Sequence, residues 1–231
     1  AAYPKVAPDK VHTIYNGINT SLYQPDAGTD VLERIGVDLD RPYVTFVGRI
    51  TRQKGVPHLL AAARKFDKNV QVVLLAGAAD TPALKAETDD LLATLTAERD
   101  GVILVSEMLP RDQVVQVLSH AAVFVCPSVY EPLGIVNLEA MACECAVVAS
   151  DVGGIPEVVV DGETGTLVHY DPDDTSGFES RLADAVNALV RDPALCQQYG
   201  EAGRQRAVTD FGWTAIAVQT KLLYESLISY Q

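Results

Sequence analysis

"SVYEPLGIVNLEAMACECAVVAS", residues 128–150, decides the fold of this 231-residue chain. Its apolar density suits a buried unit. A loop ends in Pro132-Leu133-Gly134, a helix is predicted over residues 135–143, and a β-branched run follows at 146–149. Yet the stretch carries Glu131 and, eight positions on, Glu139, with no lysine or arginine inside it. A buried carboxylate needs a partner, and a ligand is one way to supply it.

Working outward, similar runs recur at 43–47, 70–76, 102–105, 122–126 and 165–168. Helical patterns separate them at 55–66, 82–98, 111–121, 155–160, 176–191, 193–208 and 213–229. Such alternation predicts an α/β fold, a doubly wound parallel sheet of Rossmann-like type with right-handed crossovers and helices on both faces. Gly77 and Gly101 punctuate element ends, and Asp192-Pro193 reads as an N-cap followed by proline at the first helical position. The stretch from Asp171 to Gly177 reads as a surface loop. Residues 1–40 read as a lead-in packed on the domain of residues 41–231, with a strand at 11–15, a turn at Asn16-Gly17 and a short helix at 30–35. Trp213, Leu222, Leu223 and Leu227 read as packing residues of an amphipathic last helix.

Composition narrows the function. With 48% hydrophobic residues the chain can bury a sizeable core. A net charge of -13, with no Lys/Arg run longer than two, lacks the footprint of a nucleic-acid binder. No apolar stretch approaches the roughly 20 residues of a membrane span, and residues 1–5 hold no signal-peptide core, so a cytoplasmic location is expected. The four cysteines form no CxxC pair, and three sit in apolar surroundings, which suits buried thiols in a reducing compartment rather than a metal site.

In the common strand order 3-2-1-4-5-6 a crevice opens between the carboxyl ends of strands one and four. "GRITRQKG", residues 48–55, follows the first of these and "PSVYEPLG", residues 127–134, the second. Gly48 allows a tight turn. Arg49 offers a planar fork for phosphate oxygens, and Lys54 adds a compact charge. The same cations also suit an ordinary solvated loop. Pro132-Leu133-Gly134 delivers the chain to a helix whose free N–H groups and positive dipole end form an anion site. Glu139 shares a helical face with Ile135, Ala142 and Cys143. It is either a carboxylate for a ribose diol or a helical acid satisfied by solvent or backbone. Glu131 would reach whatever is attached to the diphosphate, though alone it is an ordinary loop acid. "SDVGGIPEVV", residues 150–159, allows either close backbone approach at its paired glycines or a simple helix start. The sum is a cleft for a nucleoside diphosphate bearing a further group. The chain has no GxGxxG after strand one, no GxxxxGK[ST] and no Ser-His-Asp order.

These motifs, with the lead-in "VHTIYNGINTSLYQP", resemble the C-terminal, donor-binding domain of retaining glycosyltransferases of the family-4 type with the GT-B fold, bacterial glycogen synthases in particular. The resemblance covers nearly the whole chain. It implies that Arg49 and Lys54 hold the donor diphosphate, that the backbone at Leu133, Gly134, Ile135 and Val136 contacts phosphate or sugar, and that Glu139 binds ribose. It implies further that Glu131 hydrogen-bonds the sugar near its reacting carbon and that the main chain near Met108 meets the base. On this reading Glu131, Arg49 and Lys54 are the catalytic group, attack is front-face with retention, and no cofactor or divalent metal is required. The donor expected is ADP-glucose, and the acceptor an α-glucan or a glucose phosphate. An N-terminal acceptor-binding domain would lie outside this chain, which would then bind donor but be largely inactive. The alternatives are a non-catalytic nucleotide-sugar sensor and a nucleotide-sugar epimerase, the latter disfavoured because neither cleft motif contains histidine.

Overall fold

Every β-branched run that finds a neighbour becomes a strand. In the computed structural model, which describes residues 7 and 10–228, these are β1 (Tyr43–Ile50), β2 (Gln71–Ala79), β3 (Val102–Val105), β4 (Val123–Cys126), β5 (Ala146–Ser150) and β6 (Gly165–Val168). They form one parallel sheet in the order β3-β2-β1-β4-β5-β6, a doubly wound Rossmann-like arrangement. The helices are α1 (Asp30–Ile35), α2 (Val56–Ala63), α3 (Pro82–Glu98), α4 (Arg111–His120), α5 (Ile135–Ala142), α6 (Ile155–Val158), α7 (Thr175–Val190), α8 (Pro193–Phe211) and α9 (Trp213–Ile228).

Strand alternation divides the core between the two faces. Val123, Val125, Ala146 and Val148 point to one side, against Leu59 and Leu60 of α2 and Phe178 and Leu182 of α7. Phe124, Cys126, Val147 and Ala149 point to the other, against Leu138 and Met141 of α5 and Phe211 of α8. Helix starts follow local chemistry: Thr81, Asp174 and Asp192 each accept a backbone N–H three residues on.

Several expectations need correction. Residues 11–15 form no strand, because a β-branched run needs a ladder and this one meets no sheet edge. The segment is tied down instead at Ile18, whose N–H donates to the Phe211 carbonyl at 2.8 Å. The turn falls at residues 19–22 rather than Asn16-Gly17. Gly17 lies under Trp213, where a Cβ would stand 2.7 Å from the indole. Gly77 does not end β2; it pairs with Arg49, so β1 and β2 extend each other, and Gly48 and Arg49 are strand residues. The surface loop is shorter than expected, since α7 begins at Thr175. On α9 Ile216 is buried and Trp213 covers Gly17 with part of its ring, while Leu222 and Leu227 are more than half exposed on the described domain. The helix end expected at Ser229 lies outside the described residues.

Buried Arg99 closes the far end of α2. Its guanidinium donates to the carbonyls of Ala63 at 2.6 Å, Phe66 at 3.2 Å and Asp67 at 3.0 Å, and to that of Val70. Arg99→Leu removes these four charge-assisted donations, of which the Ala63 and Asp67 carbonyls keep a backbone donor, and is expected to cost about 3 kcal/mol. A lower urea midpoint at unchanged m-value would register the loss.

Candidate functional site

The site exists because β1 and β4 pair only at Val44–Val123 and Thr45–Phe124. Beyond those pairs the strands part, and their carboxyl ends release residues 48–55 and 127–134 into one crevice, at the reversal of strand order. The two segments touch. Gly55 adopts φ +63°, and a Cβ there would lie 1.9 Å from the Pro127 carbonyl oxygen, so the close approach requires glycine. The Val129 N–H donates to the Gln53 carbonyl at 2.8 Å.

Glu131 therefore has a protein partner after all. Its Oε2 lies 2.5 Å from Lys54 Nζ and accepts from the hydroxyl of fully buried Ser128 at 3.3 Å. The stretch that holds Glu131 contains no cation, but the fold brings one from the other motif. The paired glycines after β5 also acquire a role. Gly153 packs so closely that a Cβ would sit 1.9 Å from the Glu131 carbonyl oxygen, and the Gly154 N–H donates to that same oxygen at 2.9 Å. Both readings of residues 150–159 hold, since the paired glycines pack against the Glu131 loop and α6 starts directly after them at Ile155.

Arg49 emerges exposed at the end of β1. With Gly48, Leu75, Glu107, Met108 and Val114 it lines a cavity of about 210 Å³ beside the crevice. Met108 is 95% exposed. Arg52 pairs with Glu87 of α3 at 2.5 Å.

Helix α5 starts at Gly134 with no side-chain cap, leaving its first N–H groups to other acceptors. Ile135 is exposed there, while Leu133 and Val136 are half-buried. Further along, half-buried Glu139 has its carboxyl pushed up by burial, opposed by a hydrogen bond from Tyr23 and the charges of Arg111 and Lys54. Tyr23 itself is pushed up to about 12, first by burial and then by Glu139. Sequence reasoning missed Tyr23 and Ser128: a lone tyrosine or serine has no pattern, and only their contacts give them meaning. The fold thus gathers Lys54, Glu131 and the start of α5 in the crevice, keeps Glu139 within reach of the Lys54 charge, and places Arg49 and Met108 at the adjoining cavity. Among the described residues no three His, Cys, Asp or Glu side chains form a metal-holding group, and no helix is long and apolar enough to cross a membrane.

The sequence profile described as glycosyl transferases group 1 matches residues 30–206. An alpha-maltose-1-phosphate synthase of Mycolicibacterium smegmatis is 58% identical over 228 residues, covering 97% of this chain and 59% of that protein. A D-inositol 3-phosphate glycosyltransferase of Corynebacterium aurimucosum is 32% identical, covering 97% of this chain and 53% of that one. Among solved structures, sucrose-phosphate synthase from Thermosynechococcus elongatus superposes with a TM-score of 0.77 at 34% identity, covering 94% of this chain and 53% of that one. The chain therefore spans between about half and three-fifths of these relatives.

Lys54→Met leaves Glu131 buried without its counter-charge and is expected to destabilise the fold by about 2 to 3 kcal/mol. Adding Glu131→Gln should recover more than half of that loss, and a denaturant double-mutant cycle measures the recovery. For Glu139 the sign is opposite. Its native carboxyl binds a proton more readily than the unfolded one, so the ionised form opposes folding at neutral pH. Glu139→Gln should raise the melting temperature at pH 7, and the advantage should vanish as pH falls through the ordinary carboxylate range.

Proposed function

Because the chain belongs to the glycosyl transferases group 1 family, we propose that its crevice holds the nucleotide-sugar donor of a retaining hexosyl transfer. The observation that carries this reading is the meeting of Lys54, Glu131 and the uncapped start of α5 at the β1/β4 reversal, with Glu139 within reach of the Lys54 charge. Arg49, Lys54 and the N–H groups of Gly134, Ile135 and Val136 take the diphosphate, with the Leu133 backbone beside them. Glu139 accepts from the ribose hydroxyls. The base turns toward Gly48 and the cavity beside Met108, and Glu131 faces the sugar near its reacting carbon.

The chemistry follows from charge. As the bond between anomeric carbon and phosphate oxygen breaks, negative charge gathers on the departing diphosphate and positive character on the sugar ring. Preorganised cations and helix N–H groups stabilise that separation. An acceptor hydroxyl oxygen bonds to the same face of the carbon and its proton passes to the departing phosphate oxygen, so configuration is retained. With protein groups carrying the leaving-group charge, we propose transfer without a divalent metal or other cofactor. Lys54 must serve both Glu131 and the phosphate, which makes donor binding an exchange of its partners.

ADP-glucose is the donor we propose, and a glucose phosphate the acceptor. Support for the acceptor comes from the three relatives, whose names each carry a phosphorylated sugar or polyol. An α-glucan, as in a glycogen synthase, has no such support. The acceptor-binding half is proposed to belong to a further, N-terminal domain of the whole protein, in keeping with the share of the relatives that this chain spans. Its free thiols suit the reducing cytoplasm proposed as its location.

Calorimetric titration of the chain with ADP-glucose, UDP-glucose and GDP-mannose tests the assignment. ADP-glucose is expected to bind with a Kd on the order of 0.1 to 1 mM, about -4 to -5.5 kcal/mol. Lys54→Ala and Glu139→Ala should each lose about 1.5 to 3 kcal/mol, which removes measurable heat. Indifference to both substitutions, or silence toward all three donors from the folded chain, would overturn it.

A further inference from the structure

Among the described residues, buried amides are satisfied at both ends, with one exception. Gln71 donates to the Asp38 carbonyl at 2.8 Å and accepts from the Asp38 N–H at 2.9 Å. Gln116 accepts from Val31 at 2.7 Å and donates to Asp30 at 2.8 Å. Asn187 accepts from Asp67 and donates to Lys65, both at 2.9 Å. Asn137 is fully buried, and neither its Nδ2 nor its Oδ1 has a partner among the described residues. An amide so placed opposes folding, and an aliphatic side chain of similar volume would not.

Its position gives the exception a meaning. Asn137 lies in the first turn of α5, where its backbone N–H donates to the Gly134 carbonyl at 2.9 Å. Gly134 turns at φ +88°, and a Cβ there would stand 2.6 Å from Asn137 Nδ2, 3.4 Å from Glu131 Cγ and 3.4 Å from Ile155 Cγ1. The unpartnered amide is therefore pressed against the turn that carries both the free N–H groups of α5 and the Glu131 loop.

We propose that Asn137 is a positioning residue of the donor site, completing its hydrogen bonds only when donor is bound. This rests on the donor assignment above. As the diphosphate draws the N–H groups of residues 133–136 into line, the turn settles onto the amide, and Nδ2 donates to a main-chain carbonyl of residues 132–134. That bond holds the turn, and with it Glu131, in the bound arrangement. The free protein carries an unpaired Nδ2, and the complex does not.

Stability and affinity must then move in opposite directions. Asn137→Leu, near the same volume, is expected to raise the melting temperature of the free chain by about 2 to 4 °C and to weaken ADP-glucose binding about tenfold or more by calorimetry. Asn137→Ala, which cannot overfill the site, should lose the same affinity with little change in melting temperature, and it carries the test if the leucine variant does not fold. An amide of purely structural importance would lower the melting temperature in both variants, and that result overturns the inference. Unchanged affinity in the variants, with wild-type binding intact, overturns it while leaving the donor assignment standing. Silence of the folded wild-type chain toward ADP-glucose, UDP-glucose and GDP-mannose alike overturns both.

Discussion

The short ladder between β1 and β4 is the constraint on which the site depends. β1 pairs with β2 along its whole length, from Tyr43–Gln71 to Ile50–Ala79, but with β4 only at Val44 and Thr45. Winding proceeds outward from this seam, to β2 and β3 on one side and to β5 and β6 on the other, so no crossover helix covers the gap. Residues 51–55 and 127–134, released there, lack a strand partner and satisfy each other instead, through the Val129 N–H, the Gln53 carbonyl and the Lys54–Glu131 pair.

Within the crevice, charge is managed in two ways. Glu131, 8% exposed, is neutralised by Lys54 and held by Ser128. Glu139 has Tyr23 against it and more distant cations, and its burial raises the energy of its ionised form. Asn137 adds an amide with no partner. A packed core would replace such groups with aliphatic side chains. Glu139 and Asn137 lie on one helix and the burial of each opposes folding, a cost of the kind by which a site trades stability for affinity.

The rest of the molecule shows the ordinary solution to burying polar groups. Arg99 sits under α2 with carbonyls around its guanidinium, and Gln71, Gln116 and Asn187 each close a long-range junction with both ends bonded. Against that background Asn137 stands apart, because both atoms of its amide lack partners among the described residues.

What the amino-acid sequence determined by itself was the set of elements and, through the common winding rule, their order. Val123 to Cys126 and Ala146 to Ala149 alternate between faces because strand periodicity is local, and Asp192-Pro193 starts α8 because capping needs only neighbouring residues. The placing of residues 48–55 opposite 127–134 was legible for the same reason, since topology follows from element order. Only the tertiary structure decided that residues 11–15 would remain unpaired, that β1 would run on through Arg49 beside Gly77, and that Lys54 rather than a ligand would neutralise Glu131. It also brought in Tyr23 and Ser128 and left Asn137 unbonded. Apart from the local Ser128–Glu131 bond, each of these is a contact between residues distant in the chain, or the lack of one, and all depend on packing distances that composition and periodicity do not carry.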